Sequence, residues 1–400
     1  MDLISNHPFW PIQNGLIQSY PKLRGSIDCD VIVVGAGITG ALCAFHLVKA
    51  GFDVVVVDKR DVAGGSTSAS TSLIQYELDT PLTELRERYG KDRSERIYQS
   101  CYRSVETLRS LCAEIDDQSG FTRKASFYYA SRPRDAKGLR EEHRLRREAG
   151  IEVDLLDRTD IESRFPFTRE AALLSKRAAE VDVYRLTHRL LRRAQGKGAR
   201  IYDRTTLKVG ETAPGRVTFH SDGGHVLRAK LAVFATGYEI VEMLGRRLVN
   251  LNSSFALISE PLENFPGWWD RCLIWETARP YLYLRSTVDG RILVGGEDAR
   301  YRNPVVRDAA IPKKAARLEK RFRSLFPDIP LDPAYAWAGT FGETDDGLPY
   351  IGTRPDWPGC FFALGFGGNG IVYSLIAAEI LTEAMQGKTH PDADLFPFDR

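Results

Sequence analysis

The chain has 400 residues, a formal net charge of +2, 43% hydrophobic residues and 27% charged residues. Such a composition suits a globular protein with a large core, and the length accommodates about two or three domains. A charge near zero gives no general attraction to nucleic acid. The six cysteines show neither CxxC nor zinc-ligand spacing, and no apolar run reaches the length of a membrane span.

Residues 1–26 carry Phe9, Trp10, Ile12, Leu16, Ile17 and Tyr20 between prolines. That aromatic content predicts an extended arm lying on the body rather than a disordered tail. A charged n-region and an apolar h-region are lacking, so no secretory leader is expected. With its scattered cysteines, the chain reads as reduced and cytoplasmic. Residues 30–34 form a β-branched run that predicts a buried parallel strand. The turn Gly35-Ala36-Gly37-Ile38-Thr39-Gly40 follows, then a helix over 41–50, a strand over 54–57, and Asp58. This order describes a dinucleotide site. Gly35 permits the turn, Gly37 lets backbone approach a pyrophosphate, Gly40 lets helix and strand pack, and Asp58 accepts from a ribose. Cys29 and Cys43 flank the turn and are expected as small core residues.

The stretch 64–72 (GGSTSASTS) is rich in N–H and OH donors and predicts packing against the cofactor. A helical pattern over 80–115 breaks at Gly90. A strand over 125–130, a charged helix over 135–149, a helix over 186–195 and a strand over 199–202 follow. The arginine runs at 144–147 and 189–193 read as solvated helix faces. Residues 208–229 predict a β-meander with turns at Pro214-Gly215 and Asp222-Gly223-Gly224. The segment 230–237 (KLAVFATG) predicts a second buried strand. Strands are expected at 252–260, 272–277, 281–285 and 291–297, the last two joined by an Asp289-Gly290 hairpin. An amphipathic helix over 311–325, a strand over 335–341 and a strand over 360–364 come next. The last runs through Gly365-Phe366-Gly367-Gly368-Asn369-Gly370 into a helix over 371–386. Strand–helix alternation near the termini with antiparallel strands between them implies two interleaved domains.

GAGITG with Asp58, GSTSAS, KLAVFATG, and DGLPYIG followed by GFGGNGI stand in one order. Over residues 3–386 the chain resembles the D-amino-acid-oxidase-like superfamily of FAD-dependent oxidoreductases, closest to its γ-glutamylputrescine-oxidase-like branch. The resemblance implies an α/β fold, α+β overall, with a Rossmann-like FAD-binding domain interleaved with an antiparallel-sheet substrate domain. It implies an arm at 1–26, an FAD domain from 27–95, 165–250 and 335–400, and a substrate domain from 96–164 and 251–334. It places Gly35, Gly37, Ile38, Thr39 and Gly40 at the pyrophosphate and Asp58, Lys59 and Arg60 at the ribose. Ser66, Thr67, Ser68 and Ser70 would line the flavin and phosphate channel, and Leu207 would meet the adenine. Thr236 and Gly237 would close over the dinucleotide, and Gly367, Gly368, Asn369, Gly370 and Ile371 would approach the flavin.

The chain also departs from the superfamily. Phe341 stands about where amino-acid oxidases carry a carboxylate-clamping arginine, which argues against a free α-amino acid. No cysteine lies between Tyr335 and Pro349, so FAD is expected to be non-covalent. Ile292, Leu293 and Val294 stand where relatives carry an oxygen-activating lysine, and Arg285 is the expected substitute cation. The reading is an enzyme that oxidises the CH–NH bond of an amine, such as a polyamine derivative or a secondary amine. Hydride passes to the flavin, the imine hydrolyses, and O2 or another acceptor reoxidises the flavin. Tyr281, Tyr283, Phe341, Glu343 and Gln75 are the pocket candidates, aromatic faces suiting a neutral amine and a cationic imine. The alternatives are an amino-acid oxidase or dehydrogenase, or a subunit passing electrons to a partner chain. A homo-oligomer is compatible, and no metal is expected.

Overall fold

In the computed structural model, which describes residues 2–5, 7–115, 119–239, 244, 248–301 and 303–400, two sheets share the chain. The first is built on valine-rich strands. At its centre lie β1 (Ile27–Val34) and β2 (Val54–Val57). Their branched side chains fill both faces, as a sheet covered by helices requires. β1 pairs in parallel with β2 and with β10 (Val226–Phe234), and β2 pairs with β7 (Arg200–Tyr202). β10 continues to β17 (Cys360–Leu364) and then to β16 (Tyr350–Thr353). β8 (Leu207–Ala213) and β9 (Arg216–Ser221) hang from the first half of β10. Helix α2 (Ile38–Lys49) covers the sheet together with α7 (Val183–Gly196) and α9 (Gly370–Met385).

The second sheet has nine strands and is mainly antiparallel. Its path starts at β15 (Pro333–Glu343) and passes through β11 (Asn250–Ser259), β14 (Ile292–Ala299), β13 (Leu282–Ser286) and β12 (Leu273–Glu276). It then takes β4 (Thr122–Tyr129), β6 (Ala172–Glu180) and β3 (Leu73–Gln75), with β5 (Asp154–Leu156) beside β6. Helix α8 (Pro304–Leu325) packs on β11, β14 and β15. The remaining helices are α1 (Phe9–Asn14), α3 (Ser66–Ala69), α4 (Leu82–Glu114), α5 (Ala136–Glu148) and α6 (Arg158–Glu162). Among the described residues, no helix is long and apolar enough to cross a membrane.

Several expectations need correction. The arm is not wholly extended, because Phe9 and Trp10 are buried in the short helix α1. Pro11 lies in its first turn, where a missing N–H breaks no helical bond. The meander strand and the KLAVFATG strand are one element, β10, antiparallel to β9 in its first half and parallel to β17 in its second. Helix α8 begins at Pro304 rather than near 311, since the Asn303 side chain accepts from the Val305 N–H and the helix runs on through Pro312. Gly90, at φ +77°, does break α4 as expected. β6 and β15 pair in the second sheet although they fall in segments assigned to the FAD domain, and the boundary at 95 cuts through α4.

Arg146 is not on a solvated face. It is wholly buried, donates to Glu142 at 2.8 Å, and lies over the rings of Tyr76 and Tyr98. Glu142 in turn accepts the N–H groups of Leu82 and Thr83 at the start of α4, so the buried pair joins two helices. Cys29, in the first half of β1, is only partly buried, whereas Cys43 is in the core.

Candidate FAD site

One cavity of about 580 Å³ runs between the two sheets. Its first end is the exit of the parallel strands. Gly35 has φ +107°, and a Cβ there would strike the Ala235 carbonyl oxygen. A Cβ on Gly40 would strike the Gly35 carbonyl oxygen. The turn therefore closes against the end of β10 while α2 presses onto it. Gly37, Ile38 and Thr39 face the cavity, and Gly40 supports them from behind. The N-cap Gly37 offers no side chain to the first turn of α2, which suits an anion there. The Ile38 N–H donates to Thr67 Oγ1 at 3.0 Å, tying the turn to α3.

Asp58 follows β2 directly, on the cavity wall. It accepts from the Ala36 N–H at 2.6 Å and the Arg60 N–H at 2.8 Å, and burial raises its pKa despite these bonds. Lys59 and Arg60 each meet Glu239 at 2.7 Å. Burial pushes the Glu239 carboxyl upward, but these two cations hold it below its usual value. Leu207, Thr236 and Gly237 complete this end. Ser66, Thr67 and Ser70 stand on the wall. Ser68 does not, because its hydroxyl turns back to the Gly65 carbonyl at 2.8 Å.

At the second end, Gly365 and Gly367 have φ +74° and +53°, conformations that glycine adopts at little cost. The Gly368 N–H donates to Asp79 Oδ2 at 3.0 Å, and Asn369 Nδ2 donates to the Glu77 carbonyl at 2.8 Å. Gly367, Gly368, Asn369, Gly370 and Ile371 all line the cavity. Facing them are Tyr281 and Tyr283, whose ring centroids are 5.8 Å apart, with Phe341, Trp275, Trp337 and Gln75. Gln75 is fixed by donating to Ser126 Oγ at 3.0 Å. Burial pushes the Tyr283 hydroxyl up to about 12, which keeps it neutral.

Glu343 lies behind this wall rather than on it, and accepts from Asn252 Nδ2 at 2.6 Å. Arg285 is not a free cation beside the cavity. It is 2% exposed and committed to backbone carbonyls and to Glu180. Sequence reasoning missed Glu77 and Asp79 on the wall. Their signal is the alternation Gln75, Glu77, Asp79 against the buried Tyr76 and Leu78, the period of an extended segment with one face inward.

The walls fit an FAD. Ser66 Oγ and Thr236 Oγ1 are buried without a protein partner, and each belongs to a cavity-lining residue. Buried hydroxyls require partners, and phosphate, ribose or flavin oxygens would supply them. A Rossmann-like sheet and an antiparallel sheet sharing one such cavity make a dinucleotide-binding protein with a second sheet placed over the reactive end of the cofactor.

Residues 30–384 match the family described as DAO, FAD dependent oxidoreductase, and the chain belongs to that family. It is 25% identical to the gamma-glutamylputrescine oxidoreductase of Escherichia coli, over 94% of this chain and 87% of that one. It is 24% identical to a putative Rieske 2Fe-2S iron-sulfur protein, YhfW, of Bacillus subtilis, over 97% of this chain and 74% of that one. In fold it is similar to the glycine oxidase of Geobacillus kaustophilus, with a TM-score of 0.77, 21% identity, and coverage of 93% of this chain and 99% of that one.

Proposed function

We propose that this FAD-dependent oxidoreductase acts on the CH–NH bond of a cationic amine, of the polyamine-derivative kind, and not on a free α-amino acid. One observation carries the reading. Among the described residues of the cavity wall, the basic side chains are Lys59 and Arg60, both at the first end, while Asp79 lies at the second with Phe341 in place of a clamping arginine. Behind that wall stand Asp298 and Glu343; these two carboxyls and Asp79 repel one another, and the Arg279 guanidinium, 4.5 Å from the Tyr281 ring centroid, offsets this only in part, since both carboxyls stay raised. An anionic substrate is disfavoured at such an end and an ammonium is favoured.

FAD, when bound, supplies the two-electron acceptor for the amine C–H. The chain's own part is to hold and orient. Gly35, Gly37, Ile38, Thr39, Asp58, Lys59, Arg60, Leu207, Thr236 and Gly237 hold the dinucleotide end, with Gly40 packing behind them. Ser66, Thr67 and Ser70 hold the middle, and residues 367–371 approach the flavin. Tyr281, Tyr283 and Phe341 present aromatic faces to the amine and exclude water, Gln75 offers a fixed amide, and Glu343 and Asp298 set the field. In this reading the first sheet with its helices serves as the FAD unit and the second sheet with α8 as the substrate unit. The YhfW likeness favours a second possibility for reoxidation, in which electrons pass to an iron–sulfur partner chain rather than to O2.

Anaerobic bleaching of the yellow protein by a panel of amines tests the proposal. A polyamine derivative such as γ-glutamylputrescine should bleach the flavin at least about tenfold faster than glycine, D-alanine or sarcosine, the difference a single misplaced charge makes. Faster bleaching by a simple amino acid would overturn it. Readmitting air to the reduced protein then reads the acceptor. Slow recovery in air and fast recovery with an acceptor dye are expected, because the second end carries no basic wall residue among those described.

The cofactor is expected to be non-covalent, since no cysteine stands on the described cavity wall. Acid precipitation should release all the flavin to the supernatant. A yellow pellet would show the attachment to be covalent.

A further inference from the structure

The segment that follows α3 has an unusual set of partners. Four consecutive carbonyls, from Ala69 to Ser72, are each taken by a side chain from elsewhere in the chain. Trp337 Nε1 donates to the Ala69 carbonyl at 2.9 Å. Trp10 Nε1 donates to the Ser70 carbonyl at 2.7 Å. Arg285 Nη1 donates to the Thr71 carbonyl at 3.2 Å and to the Ser72 carbonyl at 2.8 Å. These donors come from the N-terminal helix α1, from β15 and from β13, three elements remote in sequence.

The donors also support one another. The Arg285 guanidinium lies 5.5 Å from the centroid of the Trp10 ring and reaches the Val181 and Ser286 carbonyls. The arm that brings Trp10 is itself fastened to β15. The Thr340 N–H donates to the Leu3 carbonyl at 2.8 Å, the Ser5 N–H donates to the Ala338 carbonyl at 3.0 Å, and the buried Arg307 donates to the Ile4 carbonyl at 2.9 Å. Leu3 reaches the cavity wall.

The held segment is part of that wall, with Ala69, Ser70, Thr71 and Ser72 all lining it. Ser72 has φ +59°, a left-handed conformation that a serine keeps only where its surroundings impose it. Carbonyls drawn toward Trp337, Trp10 and Arg285 are carbonyls not presented to the cofactor, whose phosphates and flavin oxygens are themselves acceptors. We propose that Trp10, Trp337 and Arg285 are positioning residues for FAD. By occupying the four carbonyls they fix the 69–72 backbone so that none of these acceptors turns toward the cofactor, and the N-terminal arm is thereby a working part of the FAD site. This rests on the family's cofactor and is independent of the amine reading.

Trp10→Phe and Trp337→Phe test it, since each keeps one aromatic ring in place and removes the indole N–H. FAD affinity is measured by flavin fluorescence quenching as the stripped protein is titrated, and the melting temperature of the stripped protein is measured separately. Each variant should bind FAD about tenfold more weakly, as the loss of one buried hydrogen bond to a binding loop implies. The stripped melting temperature should fall by only a few degrees, as one lost buried hydrogen bond implies, and the visible band of the bound flavin should lose fine structure. Arg285→Lys retains a donor and should bind FAD better than Arg285→Met. FAD affinity within twofold of the parent in both phenylalanine variants would overturn the proposal. So would a loss of affinity that tracks a larger fall in the melting temperature of the stripped protein, because the three residues would then serve folding alone.

Discussion

Gly40→Val is expected to give a colourless protein. The new side chain would have to begin where the Gly35 carbonyl oxygen lies, and that oxygen is backbone, so no rotation relieves the clash. Separating α2 from the turn would move the Ile38 N–H and the first helical turn away from the cavity. Overpacking costs about 1–3 kcal/mol, and more where backbone is struck, and the cofactor cradle goes with it. Gly37→Ala makes a useful contrast. Its Cβ would stand 2.9 Å from Thr67 Oγ1, a rotatable hydroxyl. The hydroxyl can turn aside at the loss of one hydrogen bond from Ile38, and weakened rather than absent FAD is expected. The ratio of flavin to protein absorbance in the purified variants checks both. A Gly40→Val protein carrying one FAD per chain would show that the packing argument is wrong.

The parts legible in the sequence are those whose chemistry is local. A β-branched run, a glycine turn and an acid at the end of the next strand fix φ, ψ and burial within about thirty residues, and α2 with β1 and β2 follows. The Gly365–Gly370 stretch is legible for the same reason. What the sequence conceals is decided by distant partners. β6 reads ALLSKRAAE and has no alternating pattern, because residues pointing to both faces are buried over Ala172–Ser175 and Ala178–Glu180. Arg146 sits among charges that suggest a solvated helix, and only the approach of Tyr76, Tyr98 and α4 buries it. Arg285 reads as a candidate cation for the site until Thr71, Ser72 and Val181 are seen to claim it. Ser68 shares its composition with Ser66 and Ser70, but one turn of α3 points it inward to Gly65.

The charge at the second end of the cavity gives the other large expectation, a change of selectivity with pH. Burial, then the neighbouring Asp79 and Asp298 carboxylates, push Glu343 from 4.5 up to about 7. Burial, then Asp79, push Asp298 from 3.8 up to about 6. Each group is therefore protonated in the folded chain at a pH where the unfolded chain has already released the proton. The sign follows from this. Their contribution to stability is present below the unfolded values and declines as pH rises through about 4.5 to 7, so the melting temperature of the parent should fall across that window and that of Glu343→Gln should fall less. Substrate recognition should move the other way, because the carboxylates that cost stability are the ones that attract a second ammonium. The comparison of a diamine with a monoamine of equal length isolates that ammonium, since deprotonation of the reacting amine affects both alike. The ratio of their kcat/KM values should rise about tenfold between pH 5.5 and 8, the scale of one partly buried charge pair. In Glu343→Gln the rise should shrink and shift toward the lower value set by Asp298. A ratio that stays flat over this range in the parent would mean that the distal ammonium is bound elsewhere, while flattening in the variant alone would assign it to this end of the cavity.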